Sequence, residues 1–441
     1  MKRVKQIIAV ICFCTLVYLC SQFFRYILVD DTSSYTRIMM HELYEQEENI
    51  DILFVGSSHC YRAFDTEIMD EAFGKNTFNA GSSAQSIDAS YYLIKEAAKY
   101  NDIEQIYLEL YFVKTLDEAF KERNQMTSTY IITDYMKPSL DKLKFLLNAS
   151  SKEHYSNSFI VSRRSWDNIF NINYVFSLIE KKQTPEYKNY EYDYVTADNE
   201  AYMGKGYVAN FEHIPEDTFF ATTANDPINL GKLTEDWTKT FYKIIDFCKK
   251  EGIKLTLVSS PMSEYLLTGR GNYDGYIELV NDLIKETGLK YYDFNLCKEE
   301  YWPSTSTINY DPSHLNREGA ELFSNLFARF FTGQISEEEL FYDSYEERLQ
   351  KLNPEVYGLS YWKNEDRDDY DVKIVSNPYS TLEYRIENYP KEGESYVIQE
   401  FSENKEFVLP KETEGTCFIQ VRNKENPDEI IQTVEIPYIY K

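Results

Sequence analysis

Glycine and proline are scarce in this chain, with 16 and 13 residues respectively among 441. That scarcity excludes the collagen-like and low-complexity classes, and seven cysteines in so long a chain exclude a small disulfide scaffold. Positive charge is also scarce, because 46 Lys and Arg residues stand against 73 Asp and Glu residues and leave a net charge of −27. So acidic a chain repels phosphate backbones, and we therefore expect no nucleic-acid partner.

Only one apolar run is long, and it covers residues 7–24, directly after Lys2, Arg3 and Lys5. At about 1.5 Å per residue it approaches the roughly 30 Å of a bilayer core, and it is longer than the core of most signal peptides. Basic residues ahead of a span keep the N-terminus in the cytoplasm. We predict that residues 1–30 anchor the chain in the cell membrane as a single pass, with the body outside. A cleaved signal peptide is the alternative, and it exports the body equally.

Cysteine and histidine, the side chains that commonly bind zinc, are few and scattered. Outside the anchor, Cys60, Cys248, Cys297 and Cys417 lack the spacing of a metal site, and they either pair as disulfides or remain free thiols. No cluster of His and Asp has ligand spacing either. We expect no metal and no other cofactor, and we set aside a metal-dependent phosphoesterase.

Short apolar runs alternate with helical patterns on both sides of a long interruption. Five strands are predicted, at residues 51–56, 77–80, 105–110, 254–258 and 290–294. Strands that alternate with helices predict an α/β fold with a doubly wound parallel sheet, whose ligand site lies at the carboxyl ends of the strands.

The remaining segments suggest four units. Residues 1–30 are the anchor, and residues 31–335 form the α/β domain, which opens with a polar, partly helical stalk and contains a helical insertion at about 112–230. Residues 336–367 are predicted to form a helical linker. Residues 368–441 carry alternating runs broken by turn signals, which predict a small all-β, sandwich-like domain.

The first candidate for chemistry is Gly56-Ser57-Ser58, at the end of the first predicted strand. A serine on a tight turn between a strand and a helix is exposed to substrate and lies near backbone N–H groups that can stabilise an oxyanion. The tripeptide also occurs at Gly81-Ser82-Ser83, so it is a weak signal. An ordinary helix N-cap is the alternative interpretation of either copy.

The second candidate is Asp311-Pro312-Ser313-His314, in the loop before the last helix of the α/β domain. A nucleophilic serine needs a base, and the base needs a carboxylate that fixes its tautomer. Of the five histidines, His314 is the one that the topology brings to the carboxyl edge, whereas His59 adjoins Ser58 with directions unsuited to a base. A helix cap at His314 and a turn at Asp311 are the alternative.

Taken in order, these motifs and Asn79-Ala80-Gly81 resemble the SGNH/GDSL hydrolase superfamily over residues 51–331. The resemblance implies a flavodoxin-like sheet with Ser58 as nucleophile, His314 as base and Asp311 as its partner. It also implies an oxyanion hole formed by the N–H groups of Ser58 and Gly81.

One block departs from the superfamily, whose third strand ends in Gly-x-Asn with the Asn as a further oxyanion donor. This chain has Glu109-Leu110-Tyr111 there. Loss of one such donor typically costs about 2.7 to 4 kcal/mol in the transition state. Either Tyr111 or an insertion residue replaces this donor, or the oxyanion hole is weaker, or the substrate is different. Tyr111, Glu109 and Ser57 are candidate substrate contacts.

The Gly-Ser-Ser form, the single span and the exported body resemble the branch that acts on O-acyl groups of cell-envelope polymers, such as the teichoic-acid D-alanylation protein. This implies a serine esterase or O-acyltransferase for acetyl or D-alanyl groups on an envelope polysaccharide or teichoic acid. The implied partners are that glycopolymer and a multi-spanning membrane acyltransferase. An inactive scaffold that binds an envelope polymer or protein is the alternative, and the missing Asn favours it.

Aromatic residues are frequent in the insertion, and two roles are open for them. They can form a sugar-stacking wall over the site, or they can simply pack. The residues concerned are Trp166, Tyr187, Tyr190, Tyr192, Tyr194 and Tyr202.

Overall fold

The structure, a computed structural model, describes residues 2–123, 126–191, 199–215, 219–223, 226–364, 366–367, 369–409 and 414–439. The α-helices of these residues are α1 Lys2–Leu28, α2 Tyr35–Glu45, α3 Ser58–Ala63, α4 Thr66–Phe73, α5 Ile87–Ala97, α6 Phe112–Thr115, α7 Thr127–Thr133, α8 Leu140–Ala149, α9 Tyr155–Phe159, α10 Ile172–Gln183, α11 Pro185–Lys188, α12 Glu235–Glu251, α13 Glu264–Arg270, α14 Tyr273–Ile284, α15 Arg317–Phe331, α16 Glu337–Leu340 and α17 Tyr345–Lys351. The β-strands are β1 Ile52–Val55, β2 Thr77–Asn79, β3 Gln105–Glu109, β4 Glu200–Gly204, β5 Tyr207–Asn210, β6 Phe220–Thr223, β7 Lys254–Ser259, β8 Tyr291–Asp293, β9 Val356–Asn364, β10 Asp369–Ser376, β11 Leu382–Pro390, β12 Tyr396–Ser402, β13 Glu406–Leu409, β14 Glu414–Asn423 and β15 Asn426–Ile439.

A five-stranded parallel sheet forms the centre, with the strand order β2-β1-β3-β7-β8. Every residue of β1 is buried, as expected for a parallel strand covered on both faces. Leu53 and Val55 pack with α5, α12 and α14, whereas Ile52 and Phe54 point to the opposite face and pack with α3, α4 and α15. The predicted mixed α/β chain with a parallel sheet and helices between its strands is confirmed.

The insertion is not wholly helical, which differs from our prediction for residues 112–230. It contains helices α6 to α11, but β4 and β5 form an antiparallel hairpin within it. β6 leaves the insertion altogether and pairs in parallel with β9, in a sheet of the C-terminal region. The sequence of β6, Phe-Ala-Thr-Thr, contains aromatic and β-branched residues that favour a strand once a partner strand is available.

Two four-stranded sheets form the C-terminal region, in the orders β13-β10-β9-β6 and β12-β11-β14-β15. Both contribute to one apolar cluster, with Leu359 and Ile374 from the first sheet and Tyr384, Ile419 and Val421 from the second. A further sheet region after the α/β unit is therefore present, as predicted.

The predicted helical linker over residues 336–367 differs from the structure in its last part. Residues of β9 form a strand that pairs antiparallel with β10, because its Val, Tyr, Leu and Trp side chains suit a pleated surface. The helical part is also broken into α16 and α17, since Ser336 and Ser344 each cap a separate helix.

The predicted polar stalk at residues 30–50 is not a free stalk in the structure. Its helix α2 packs against the main core through Ile38, Met39, Met40 and Leu43, which are almost completely buried. The other residues of this segment are mostly polar, so the sequence pattern did not indicate an apolar face.

Helix α1 is long, apolar and exposed along most of its length. A candidate membrane span covers Arg3–Leu28, 26 residues that measure about 39 Å along the helix axis. The predicted apolar N-terminal helix is therefore present, whereas its orientation stays a prediction. All seven cysteines are free thiols, and the four outside α1 are buried.

Candidate active site

Ser58 lies at the carboxyl edge of the central sheet, where β1 passes into α3. Ser57 is the N-cap of α3, because its Oγ accepts a hydrogen bond from the backbone N–H of His59 at 3.4 Å. Ser57 is therefore turned inward and buried, whereas Ser58 begins the helix and is partly exposed. Of the two serines, only Ser58 is available to a substrate.

The loop that precedes α15 brings Asp311 and His314 to the same edge. Asp311 Oδ1 accepts the backbone N–H groups of Ser313 at 2.7 Å and of His314 at 2.9 Å, so the carboxylate closes a tight turn on itself. Ser263, which caps α13 after β7, donates its hydroxyl to the carbonyl of Pro312 at 2.5 Å. The turn is thereby fixed to the neighbouring strand end.

The three predicted residues meet in one hydrogen-bonded chain. His314 Nδ1 lies 2.8 Å from Asp311 Oδ2, and His314 Nε2 lies 2.7 Å from Ser58 Oγ. With Nδ1 protonated by its contact to the carboxylate, Nε2 is left as an acceptor for the Ser58 hydroxyl. This is the arrangement that can remove a proton from a hydroxyl as it attacks a carbonyl carbon.

The charge of Asp311 is stabilised locally. Burial alone would raise its pKa, but hydrogen bonds from His314 and Ser313, together with the charge on His314, lower the pKa to about 2. The carboxylate is therefore ionised throughout the neutral range, and it faces the ring nitrogen that it must orient.

Two aromatic rings stack on the His314 ring. The ring of His59 stacks on it at 4.6 Å between centroids, and that of Tyr310 stacks at 5.5 Å. Tyr111, a predicted substrate contact, lies against His59 with 3.8 Å between the ring centroids and the two ring planes tilted by 34°. The imidazole of His314 is thus restrained by stacking as well as by its hydrogen bonds.

His59, which we predicted to be unsuited as a base for Ser58, is a buried neighbour of His314. It is 2 % exposed, and burial lowers its pKa well below its ordinary value, with the nearby His314 charge acting in the same direction. Its Nε2 has no hydrogen-bond partner among the described residues. A neutral imidazole therefore lies beside His314, and its position next to Ser58 in the sequence was the one available signal.

Glu109 stabilises the turn at Gly56-Ser57-Ser58 through hydrogen bonds to Ser57. Its Oε2 accepts both the backbone N–H and the hydroxyl of Ser57 at 3.3 Å. A Cβ atom on Gly56 would lie 2.7 Å from that same oxygen, so only glycine fits between Glu109 and the turn. Glu109 and Ser57 are predicted substrate contacts, but both are almost completely buried and bind each other.

Gly81 lies close to α3, but its N–H is already engaged. It donates to Asn79 Oδ1 at 3.0 Å, which differs from the free oxyanion donor that the resemblance implied. The Asn79 amide also donates to the carbonyls of Cys60 and Phe64 in and after α3. Asn79 therefore connects the end of β2 to α3, and its side-chain oxygen occupies the Gly81 N–H.

The aromatic residues of the insertion mostly pack away from Ser58. Tyr187 and Tyr190 stack on the guanidinium of Arg37, and Tyr202 donates to Glu42. Trp166 is 45 % exposed. Tyr192 and Tyr194 lie outside the described residues.

Groups of three or more His, Cys, Asp or Glu side chains that could hold a metal ion are absent from the part of the chain that the structure describes.

Glu109→Gln is expected to make the protein more stable at alkaline pH. Burial raises the pKa of Glu109 to about 8 from an ordinary value of 4.5, although hydrogen bonds from Ser57 oppose the rise. Between these values the folded protein retains a proton that the unfolded chain releases. The free energy of unfolding therefore falls as pH rises, by at most about 5 kcal/mol across the window.

Urea unfolding of the full-length protein between pH 4 and pH 9, values that bracket this window, measures the effect. Glu109→Gln should flatten the decline relative to the wild type. Glu104→Gln is the control, because Glu104 is 62 % exposed and pairs with Lys75 at the surface. Equal slopes in wild type and Glu109→Gln would contradict the assignment.

Comparisons with known proteins add little. No family model matches the chain, and no curated protein matches it. A solved structure described as a candidate platelet activating factor from Streptococcus pneumonia is similar with a TM-score of 0.30 and 10% identity, covering 71% of this chain and 97% of its own. An endo-beta-1,4-mannanase double mutant from Cellulomonas fimi has a TM-score of 0.14 and 9% identity, covering 94% and 98%. Both TM-scores are too low for either likeness to support a fold or a function.

Proposed function

We propose that this protein is a membrane-anchored, SGNH-type serine esterase or O-acyltransferase with Ser58, His314 and Asp311 as its catalytic triad. The observation that carries the proposal is the contact of 2.7 Å between Ser58 Oγ and His314 Nε2, with Asp311 on the far ring nitrogen. Residues 256 apart in sequence meet there in the order that nucleophilic catalysis needs.

The proposed reaction has two halves. Ser58 Oγ attacks the ester carbonyl carbon while its proton passes to His314 Nε2, and His314 then returns that proton to the leaving alkoxide. An acyl-Ser58 ester remains. A second hydroxyl, from water or from a sugar, loses its proton to His314 as it attacks the acyl carbon, and Ser58 leaves as the alcohol.

Asp311 contributes by charge and orientation. Its carboxylate stabilises the imidazolium that forms in each half-reaction and keeps the Nδ1 proton facing it. Stacking of His59 and Tyr310 on His314 limits the rotation that would break the contact with Ser58. These contacts support a base that is positioned before substrate arrives.

The oxyanion hole is the weaker part of the proposed site. The Ser58 N–H is at the start of α3, where helix N-terminal groups favour negative charge. An oxyanion would have to compete with Asn79 Oδ1 for the Gly81 N–H. Substrate must therefore displace Asn79, or the hole must use Ser58 and another donor.

The proposed substrate is an O-acylated cell-envelope glycopolymer carrying acetyl or D-alanyl groups. A span with its positive residues at the N-terminal end favours a body outside the cell membrane, where such polymers lie. If the acyl group is transferred rather than hydrolysed, a multi-spanning membrane protein is the proposed donor partner.

An inactive scaffold that binds an envelope polymer or protein is the second candidate. The absent Asn of the third block and the occupied Gly81 N–H favour it. The intact chain of contacts through His314 opposes it.

A fluorophosphonate probe tests whether Ser58 is activated, without knowledge of the true substrate. We expect the full-length protein in detergent to be labelled on Ser58, as located by mass spectrometry of its peptides. His314→Ala should lose the labelling because no group then accepts the proton. His213→Ala, which removes an exposed histidine of the insertion, is the matched control and should keep it. Folded protein that resists the probe would favour the binding scaffold.

A further inference from the structure

One surface outside the proposed site is unusually apolar for a protein of this charge. It is formed by the end of α9, the 3₁₀ helix Val161–Asn168 and the start of α10, and we call it the apolar patch. Large exposed side chains of this patch are Phe159, Ile160, Trp166, Phe170, Ile172 and Phe176. Phe170 is 91 % exposed. Contiguous exposed apolar surface of this kind marks a contact with another molecule or with a membrane.

The apolar patch adjoins the C-terminal end of α1. Helix α1 packs against both the 3₁₀ helix and α10. Lys182 Nζ donates to the carbonyl of Val29 at 2.6 Å, and the Tyr174 hydroxyl donates to that of Leu28 at 3.4 Å. These bonds fix α10 to the C-terminal end of the candidate span. The apolar patch therefore keeps a constant position along the axis of that span.

The end of the candidate span corresponds to the interface between the hydrocarbon core and the lipid headgroups of a bilayer. The apolar run of residues 7–24 is about 27 Å long, close to the thickness of a hydrocarbon core, and Arg25 follows it. Elements bound to Leu28 and Val29 therefore lie at the level of the lipid headgroups. Aromatic side chains such as those of Trp166 and Phe170 prefer this layer.

We propose that the apolar patch inserts into the outer leaflet of the bilayer beside α1. The proposal rests on the proposed membrane anchor. A net charge of −27 disfavours anionic lipids, so the occupant is the apolar and interfacial layer of the bilayer and not an anionic headgroup. Two attachments, the span and the patch, prevent the body from rotating about the span. The body then keeps a constant height above the membrane.

Quenching of tryptophan fluorescence by brominated phosphatidylcholine tests the insertion on the full-length protein in vesicles. Four tryptophans are present, of which Trp237 and Trp302 are buried. Trp166 lies in the apolar patch, and Trp362, exposed to 39 %, lies in β9. We expect the vesicles to quench the wild type and Trp362→Phe, whereas Trp166→Phe should lose the quenching.

A second variant checks the role of the neighbouring side chains. Phe170→Ser combined with Phe176→Ser changes exposed residues and should leave the fold intact, but it should reduce quenching of Trp166. Extraction at alkaline pH reports separately on α1, because a spanning helix keeps the protein in the vesicles.

The outcomes separate the proposals. Protein that resists extraction but shows no quenching of Trp166 would overturn the insertion while leaving the anchor, and a protein partner would then be the occupant of the patch. Protein that is extracted would overturn the anchor and the insertion together. Neither result affects labelling of Ser58 by a fluorophosphonate, which tests the triad alone.

Discussion

Ser58→Ala is expected to lower the rate of ester cleavage by roughly 10⁴- to 10⁶-fold, the loss typical of an enzyme that loses its nucleophile. The Ser58 hydroxyl is the group that His314 Nε2 reaches, at 2.7 Å. Without it the acyl-enzyme cannot form, and only slow direct attack by water remains. Hydrolysis of p-nitrophenyl acetate by the full-length protein in detergent measures the rate.

The neighbouring serine provides the matched control. Ser57→Ala removes the cap of α3 and a hydrogen bond to Glu109, which should cost about 1 kcal/mol of stability. It leaves the contact between Ser58 and His314 in place, so the rate should fall far less than in Ser58→Ala. Equal loss of rate from both variants, with both still folded, would show that Ser58 is not the nucleophile.

The central sheet was predictable because its strands are short apolar runs in the sequence. All residues of β1 are buried and belong to a run that ends at Gly56, and the helical patterns between runs required parallel strands. The position of His314 followed from the same topology, because its loop and the loop after β1 both emerge at the carboxyl edge of the sheet. Asp311 lies three residues before His314 on that loop. Both inferences depend on local sequence pattern and on the rule that the site of a parallel α/β sheet lies at the carboxyl ends of its strands.

Contacts between distant segments could not be predicted in this way. β6 pairs with β9 although more than a hundred residues separate them, and no periodicity signals a partner strand. The same limit applies to Asn79, whose side chain takes the Gly81 N–H, and to Glu109, whose carboxyl closes under Ser57. Each of these depends on how side chains pack, and the sequence motifs carry no information about it.

Asp311→Asn is expected to lower kcat by about 10⁴-fold, as the same replacement does in serine proteases with this triad. An amide can still accept the backbone N–H groups of Ser313 and His314, so the turn should persist. Its NH₂ group facing His314 Nδ1 would favour the tautomer with the proton on Nε2. That nitrogen would then donate towards Ser58 and could no longer accept its proton.

A matched replacement separates this effect from a general loss of charge. Asp65 caps α4 by accepting the N–H of Glu67, and asparagine caps helices as well as aspartate does. Asp65→Asn should therefore retain the wild-type rate, and thermal unfolding should show both variants folded. If Asp311→Asn kept its rate within about tenfold, a loss of only about 1.4 kcal/mol, the orientation of His314 would not depend on the carboxylate. Catalysis through His314 would then need another source of its tautomer, and Ser313, whose hydroxyl lies 3.0 Å from Nδ1, is the remaining contact at that nitrogen.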